Sequence, residues 1–148
     1  MPIPSIDPAT GNLPPGIHDA TWQELYLAFG STPHRQRLLE GLLRALSALR
    51  RAGCGRAYVD GSFVTSKDVP GDFDGCWELE GVDPDALEPT LLDWNGKREA
   101  QKAKYGGELF IATAAADLAG TRFLDFFQRD KNTGEPKGIV ALDLGGLP

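Results

Sequence analysis

The chain has 148 residues, 41% of them hydrophobic, enough for one ordinary domain core and too few for two comfortable ones. Acidic residues outnumber basic ones, 21 to 15, for a net charge of -6, and no run of like charge is long enough to act as a tail. This balance argues against a general affinity for duplex nucleic acid, which rests on phosphate neutralisation by Lys and Arg, and no apolar run of about 18 residues exists to span a bilayer.

Residues 1 to 18 hold Pro2, Pro4, Pro8, Pro14 and Pro15 with Gly11 and Gly16, which predicts an extended arm. Its sparse apolar residues Ile3, Ile6, Leu13 and Ile17 favour an arm docked on a single domain of residues 19–148. A helix is expected from about Ala20 to Phe29, where Thr21 and Glu24 have capping-box spacing and Trp22, Leu25, Tyr26 and Phe29 share a face. A longer helix begins with Ser31 or Thr32 as cap and Pro33 in the first turn, and runs to about Ala52. Its stripe of Leu38, Leu39, Leu42, Leu43, Leu46 and Leu49 is core, and Arg35, Arg37, Glu40 and Arg44 fall largely on other faces.

A strand from about Arg56 to Val59 leads into Gly61-Ser62, and a second from about Asp72 to Leu79 carries Asp72 and Asp74. Helices are expected at Pro84 to Leu92 and Asn95 to Lys104, the second charged and largely solvated. A strand at Glu108 to Thr113, a helix near Thr121 to Gln128, a polar turn at Lys131 to Lys137 and a strand at Ile139 to Leu144 complete the order. Helices first, then strands separated by helices, fit an α+β or α/β domain, a small mixed sheet flanked by helices.

Cys54 and Cys76 make no metal-ligand motif, and the first residues have neither a basic nor an apolar leader pattern, so a cytoplasmic protein with reduced thiols is expected. His18 and His34 suit surface or capping roles, and Asp60 is expected to fix a turn or face solvent. Trp22, Trp77 and Trp94 are expected to pack in the core or at its edge, and Phe123, Phe126 and Phe127 to pack on the sheet.

The chemistry is concentrated in residues 58–77. Asp72 and Asp74 alternate with Phe73, so both carboxylates leave one face of a strand. Two carboxylates that close repel unless they are solvated or serve a cation, and oxygen ligands of this kind suit magnesium. An isolated Asp-x-Asp is ordinarily a solvated strand end. Here Gly61 lets a backbone approach phosphate oxygens, and Ser62 and the following amides supply donors. Lys67, in the intervening loop, is a candidate phosphate contact.

Val59-Asp60-Gly61-Ser62 followed by Asp72-Phe73-Asp74 resembles the signature of the nucleotidyltransferase superfamily that includes DNA polymerase beta. The run Gly-Ser-Phe-Val-Thr-x-Lys with Pro-x-Asp-Phe-Asp, Phe126-Phe127-Gln128 and Lys137-Gly138-Ile139-Val140 is similar to a family of small uncharacterised bacterial proteins. The resemblance implies a minimal nucleotidyltransferase-like fold in which Gly61 and Ser62 contact a nucleoside triphosphate and Asp72 and Asp74 bind Mg2+. It also implies a third carboxylate from a later strand, for which Glu108 is the candidate and Asp143 the competitor. The implied reaction moves a nucleoside monophosphate to a hydroxyl of a protein, RNA or small molecule. The alternative is a catalytically silent module, such as one component of a bacterial toxin-antitoxin pair, with the arm and first helix as partner surface. Pro70-Gly71, in place of a small polar residue before Asp72, departs from the superfamily pattern.

Overall fold

The computed structural model describes residues 3–93 and 99–148. Its first strand, β1 (Gly16–Ala20), is followed by helices α1 (Trp22–Phe29) and α2 (Pro33–Arg51). Strands β2 (Arg56–Asp60) and β3 (Phe73–Trp77) come next, then α3 (Glu99–Tyr105), β4 (Gly107–Ile111), the single turn α4 (Phe123–Phe126) and β5 (Gly138–Asp143). The architecture is α+β. The sheet order is β1-β5-β2-β3-β4, with β1 parallel to β5, β3 parallel to β4, and β2 antiparallel to both its neighbours.

Local signals explain the two leading helices. Thr21 Oγ1 accepts from the Glu24 amide at 3.1 Å while Glu24 Oε1 accepts from the Thr21 amide at 2.9 Å, closing the expected capping box. Thr32, rather than Ser31, caps α2, with Pro33 in its first turn. The leucines of α2 bury against Val59, Phe73, Trp77, Leu109 and Val140 on one sheet face. The opposite face carries a smaller cluster of Tyr58, Cys76, Phe110, Phe127, Ile139 and Ala141. Alternation along the strands separates the two sets cleanly, so residues 58, 60, 74, 76, 108 and 110 face away from α2.

Several expectations are corrected. The boundary at residues 18 and 19 falls inside β1, which pairs with β5 from Gly16↔Gly138 to Ala20↔Leu142. Leu13 is buried and Ile3 and Ile6 pack on the main core, so the arm is docked and its last residues are sheet. His18 accordingly lies in a strand, its ring 2.6 Å from the Pro14 carbonyl. The helix expected at Pro84 to Leu92 reduces to a 3-10 turn at Pro89–Leu92, because Pro89 offers no amide to the preceding turn and Asp83 holds the Asp85 amide at 3.0 Å. The expected helix start at Asn95, and Trp94, lie outside the described residues; α3 is described from Glu99. No helix among the described residues is long and apolar enough to cross a membrane.

Arg35 is the other correction. It is 5% exposed, far from a surface position. Its guanidinium lies between the Phe29 and Phe63 rings and donates to the carbonyls of Phe63 at 2.6 Å, Thr65 at 3.0 Å and Lys67 at 2.5 Å. The ring of His34, one residue earlier, bonds the Pro70 carbonyl. The start of α2 thus holds the loop between β2 and β3 by its backbone.

A carboxylate cluster on the open sheet face

The chain leaves β2 through Asp60 and turns at Gly61, whose φ of 83° is left-handed. A Cβ there would lie 2.9 Å from Asp74 Oδ2, so only glycine lets the turn pass this close to the carboxylate. Ser62–Val64 form a single 3-10 turn anchored by buried Phe63 and Val64, and the chain returns through Asp72 into β3. Register then aligns the acids: Asp60 stands opposite Asp74 across β2 and β3, and Asp74 opposite Glu108 across β3 and β4. Three neighbouring strands carry a row of carboxylates, with Asp72 beside it.

One oxygen from each of Asp72, Asp74 and Glu108 lies within 4.8 Å of the others. Half-buried Asp72 and Asp74 and buried Glu108 form a group able to hold a metal ion, because oxygen donors gathered on and beside packed strands match the preference of hard divalent cations. Asp143 is not among them. It pairs in register with Arg56, at the far end of β2 from Asp60, and its side chain caps the Gly145 amide at 2.9 Å.

Residues 4–143 match a family of unknown function, DUF6932. The chain belongs to that family. No curated protein and no solved structure matches the chain.

In this DUF6932 chain the electrostatics single out two carboxyls. Burial raises Asp74 to about 7, reinforced by Asp72, Asp60 and Glu108. Burial also raises Asp60 to about 6, against the pull of Lys137, whose Nζ lies 3.1 Å from Asp60 Oδ1. At the other flank, Lys102 Nζ lies 3.3 Å from Asp72 Oδ2 and 3.3 Å from Glu108 Oε1. The cluster is therefore bracketed by two lysines, with Asp74 between them.

The carboxylates open into a cleft of about 700 Å³, within the range of small-molecule sites. Gly61, Ser62 and Lys67 line one side, Phe123, Phe126 and Phe127 another, and the turn after α4 brings Arg129, Lys131 and Lys137 to its rim. The Phe123 and Phe110 rings stack 4.2 Å apart, which roots the aromatic wall on the sheet. The arm closes one end: Asn12 bridges to Thr65 and donates to Asp130 Oδ2 at 2.9 Å. The structure thus brings together Gly61, Ser62, Lys67, Asp72, Asp74 and Glu108 around one cleft and leaves Asp143 out.

Asp60, expected to fix a turn or face solvent, is 2% exposed, and neither Lys102 nor Lys137 was singled out by sequence as part of the site. The period of two that joins Tyr58 to Asp60 and Asp74 to Cys76 contains the clue for Asp60, since all four share a face. Lys102 gives no such signal, because its role depends on how α3 packs. Cys54 and Cys76 are buried free thiols, and burial pushes both up, away from reactivity.

Proposed function

We propose that the protein is a metal-dependent nucleotidyltransferase, acting on a nucleoside triphosphate and a hydroxyl acceptor. The observation that carries this reading is the gathering of Asp72, Asp74 and Glu108 within 4.8 Å, beside the Gly61-Ser62 turn and in the same cleft. Carboxylate chemistry and the close glycine turn fit Mg2+ and a phosphate chain together.

Asp72, Asp74 and Glu108 would hold the cation, which supplies neutralisation of phosphate charge and acidification of a bound hydroxyl. Ser62 and the amides of its turn donate to phosphate oxygens. Lys137, held by Asp60, and Lys67 both place positive charge in the cleft. The acceptor oxygen forms a bond to the α-phosphorus, the bond from that phosphorus to the bridging oxygen breaks, and pyrophosphate leaves. The hydroxyl proton passes to the Glu108 carboxylate.

The second reading, a silent binding module such as one component of a toxin-antitoxin pair, draws on α1, where Leu27 is 74% exposed beside half-exposed Tyr26. The docked arm is a poorer partner surface, with Leu13 in the core.

Titration calorimetry with each of the four nucleoside triphosphates, with and without Mg2+, separates the readings. We expect Mg2+-dependent binding of at least one nucleotide, lost in a folded Asp72→Ala, Asp74→Ala double variant. Absence of binding to all four by the wild-type protein would remove the enzymatic reading and favour the module.

A further inference from the structure

Lys102 stands where a cation is called for. Its ammonium touches one oxygen of Asp72 and one of Glu108 at 3.3 Å each. No cation contacts Asp74 among the described residues. A divalent ion coordinates carboxylate oxygens at about 2.0–2.6 Å, so it cannot share those two oxygens with an ammonium in the same gap. Two like charges that close would also repel.

The mounting of Lys102 allows it to leave. The helix α3 is fixed to β4 through Gln101, which is fully buried, accepts from the Leu109 amide at 2.9 Å and donates to the Leu109 carbonyl at 3.3 Å. Gly41 of α2 fixes it from the other side, since a Cβ there would fall 1.7 Å from the Tyr105 carbonyl oxygen. The Lys102 side chain is 48% exposed and its four-carbon stem is flexible, so the ammonium reaches solvent by side-chain rotation with α3 in place.

We propose that Lys102 is a tethered counter-ion: its ammonium fills a cation position between Asp72 and Glu108, and a divalent ion takes that position only when the side chain swings out. Metal entry is then a displacement rather than the filling of an empty cage. The apparent affinity of the triad is set by the competition, and whatever draws Lys102 away, such as the phosphates of a nucleotide in the cleft, loads the metal. This inference rests on the metal-binding reading above and adds its regulation.

The test is a Mn2+ titration of the wild-type protein, Lys102→Met and Lys102→Arg, following free Mn2+ by electron paramagnetic resonance and checking fold by circular dichroism. Lys102→Met is expected to bind one more Mn2+ per chain, or to bind at a concentration at least tenfold lower, while Lys102→Arg stays near wild type. Equal stoichiometry and equal midpoints in wild type and Lys102→Met overturn the counter-ion and leave the metal site standing. Mn2+ taken up by Lys102→Met and not by wild type supports the counter-ion in its strongest form, with the metal excluded from the natural chain until the side chain is drawn away. No Mn2+ uptake by any of the three folded proteins overturns both.

Discussion

Asp74 occupies the middle strand of three that each present a carboxylate to the same face, with Asp60 and Glu108 as its cross-strand neighbours. Its carboxyl, raised to about 7, releases its proton near pH 4 in the unfolded chain. Between those values the folded protein binds more protons than the unfolded one, so this group favours folding at low pH and its contribution is lost as pH rises toward 7. Asp60, raised to about 6, acts in the same direction. Exposed carboxylates held low, such as Glu24 and Asp130, pull weakly the other way. In chelator, we expect Asp74→Asn to gain stability relative to wild type on going from pH 5 to pH 7.5, by on the order of 1–3 kcal/mol. Thermal melts of the two proteins at both pH values check this; parallel pH profiles would show that Asp74 carries no such strain. The Asp72 and Asp74 pair was legible because acids two apart in an extended segment share a face, which holds here although Asp72 stands just before β3. The third strand position, Asp60, was not, since burial of a polar strand end depends on what crosses above it.

At the scale of elements, the site depends on a loop that has little structure of its own. Residues 61–72 make one 3-10 turn, and Arg35 satisfies the carbonyls of Phe63, Thr65 and Lys67 from the start of α2. Arg35→Ala would leave those acceptors in a partly buried setting, and we expect a loss of about 2–4 kcal/mol, measured by urea unfolding. Arg35→Lys should recover only part of it, because one ammonium cannot present the planar fork that reaches several carbonyls. A full recovery by lysine would mean that charge, not geometry, holds the loop. The helix α2 was legible to within a residue, since Thr32, Pro33 and the leucine stripe act locally. The burial of Arg35 was not, because its partners lie about thirty positions away. The expected helix at Pro84 to Leu92 failed for a local reason that the sequence contained, the proline at position 89.

At the scale of the molecule, the sheet keeps its two faces for two purposes. One is covered by α2 and forms the main core; the other carries the aromatic cluster and the carboxylate row, so the cleft is built on strands already held by packing from behind. Legibility follows the same division: the core face was readable from apolar periodicity, whereas the order β1-β5-β2-β3-β4 places the last strand beside the second, which pattern alone does not specify. The role of Gln101 also appears only at this scale. Gln101→Leu removes the side-chain amide that accepts from the Leu109 N–H and donates to its carbonyl, and we expect it to cost about 1–3 kcal/mol in a chemical denaturation experiment. An unchanged midpoint would show that water replaces the amide at no cost.

That side-chain amide has a consequence for assembly. It meets the outward N–H and C=O at the middle of β4 much as a further strand would, which closes one margin of the sheet and leaves β1 as the other. Growth of strand-paired polymers needs two adhesive margins on every subunit. With α3 packed along the β4 margin, growth of that kind has no second margin among the described strands.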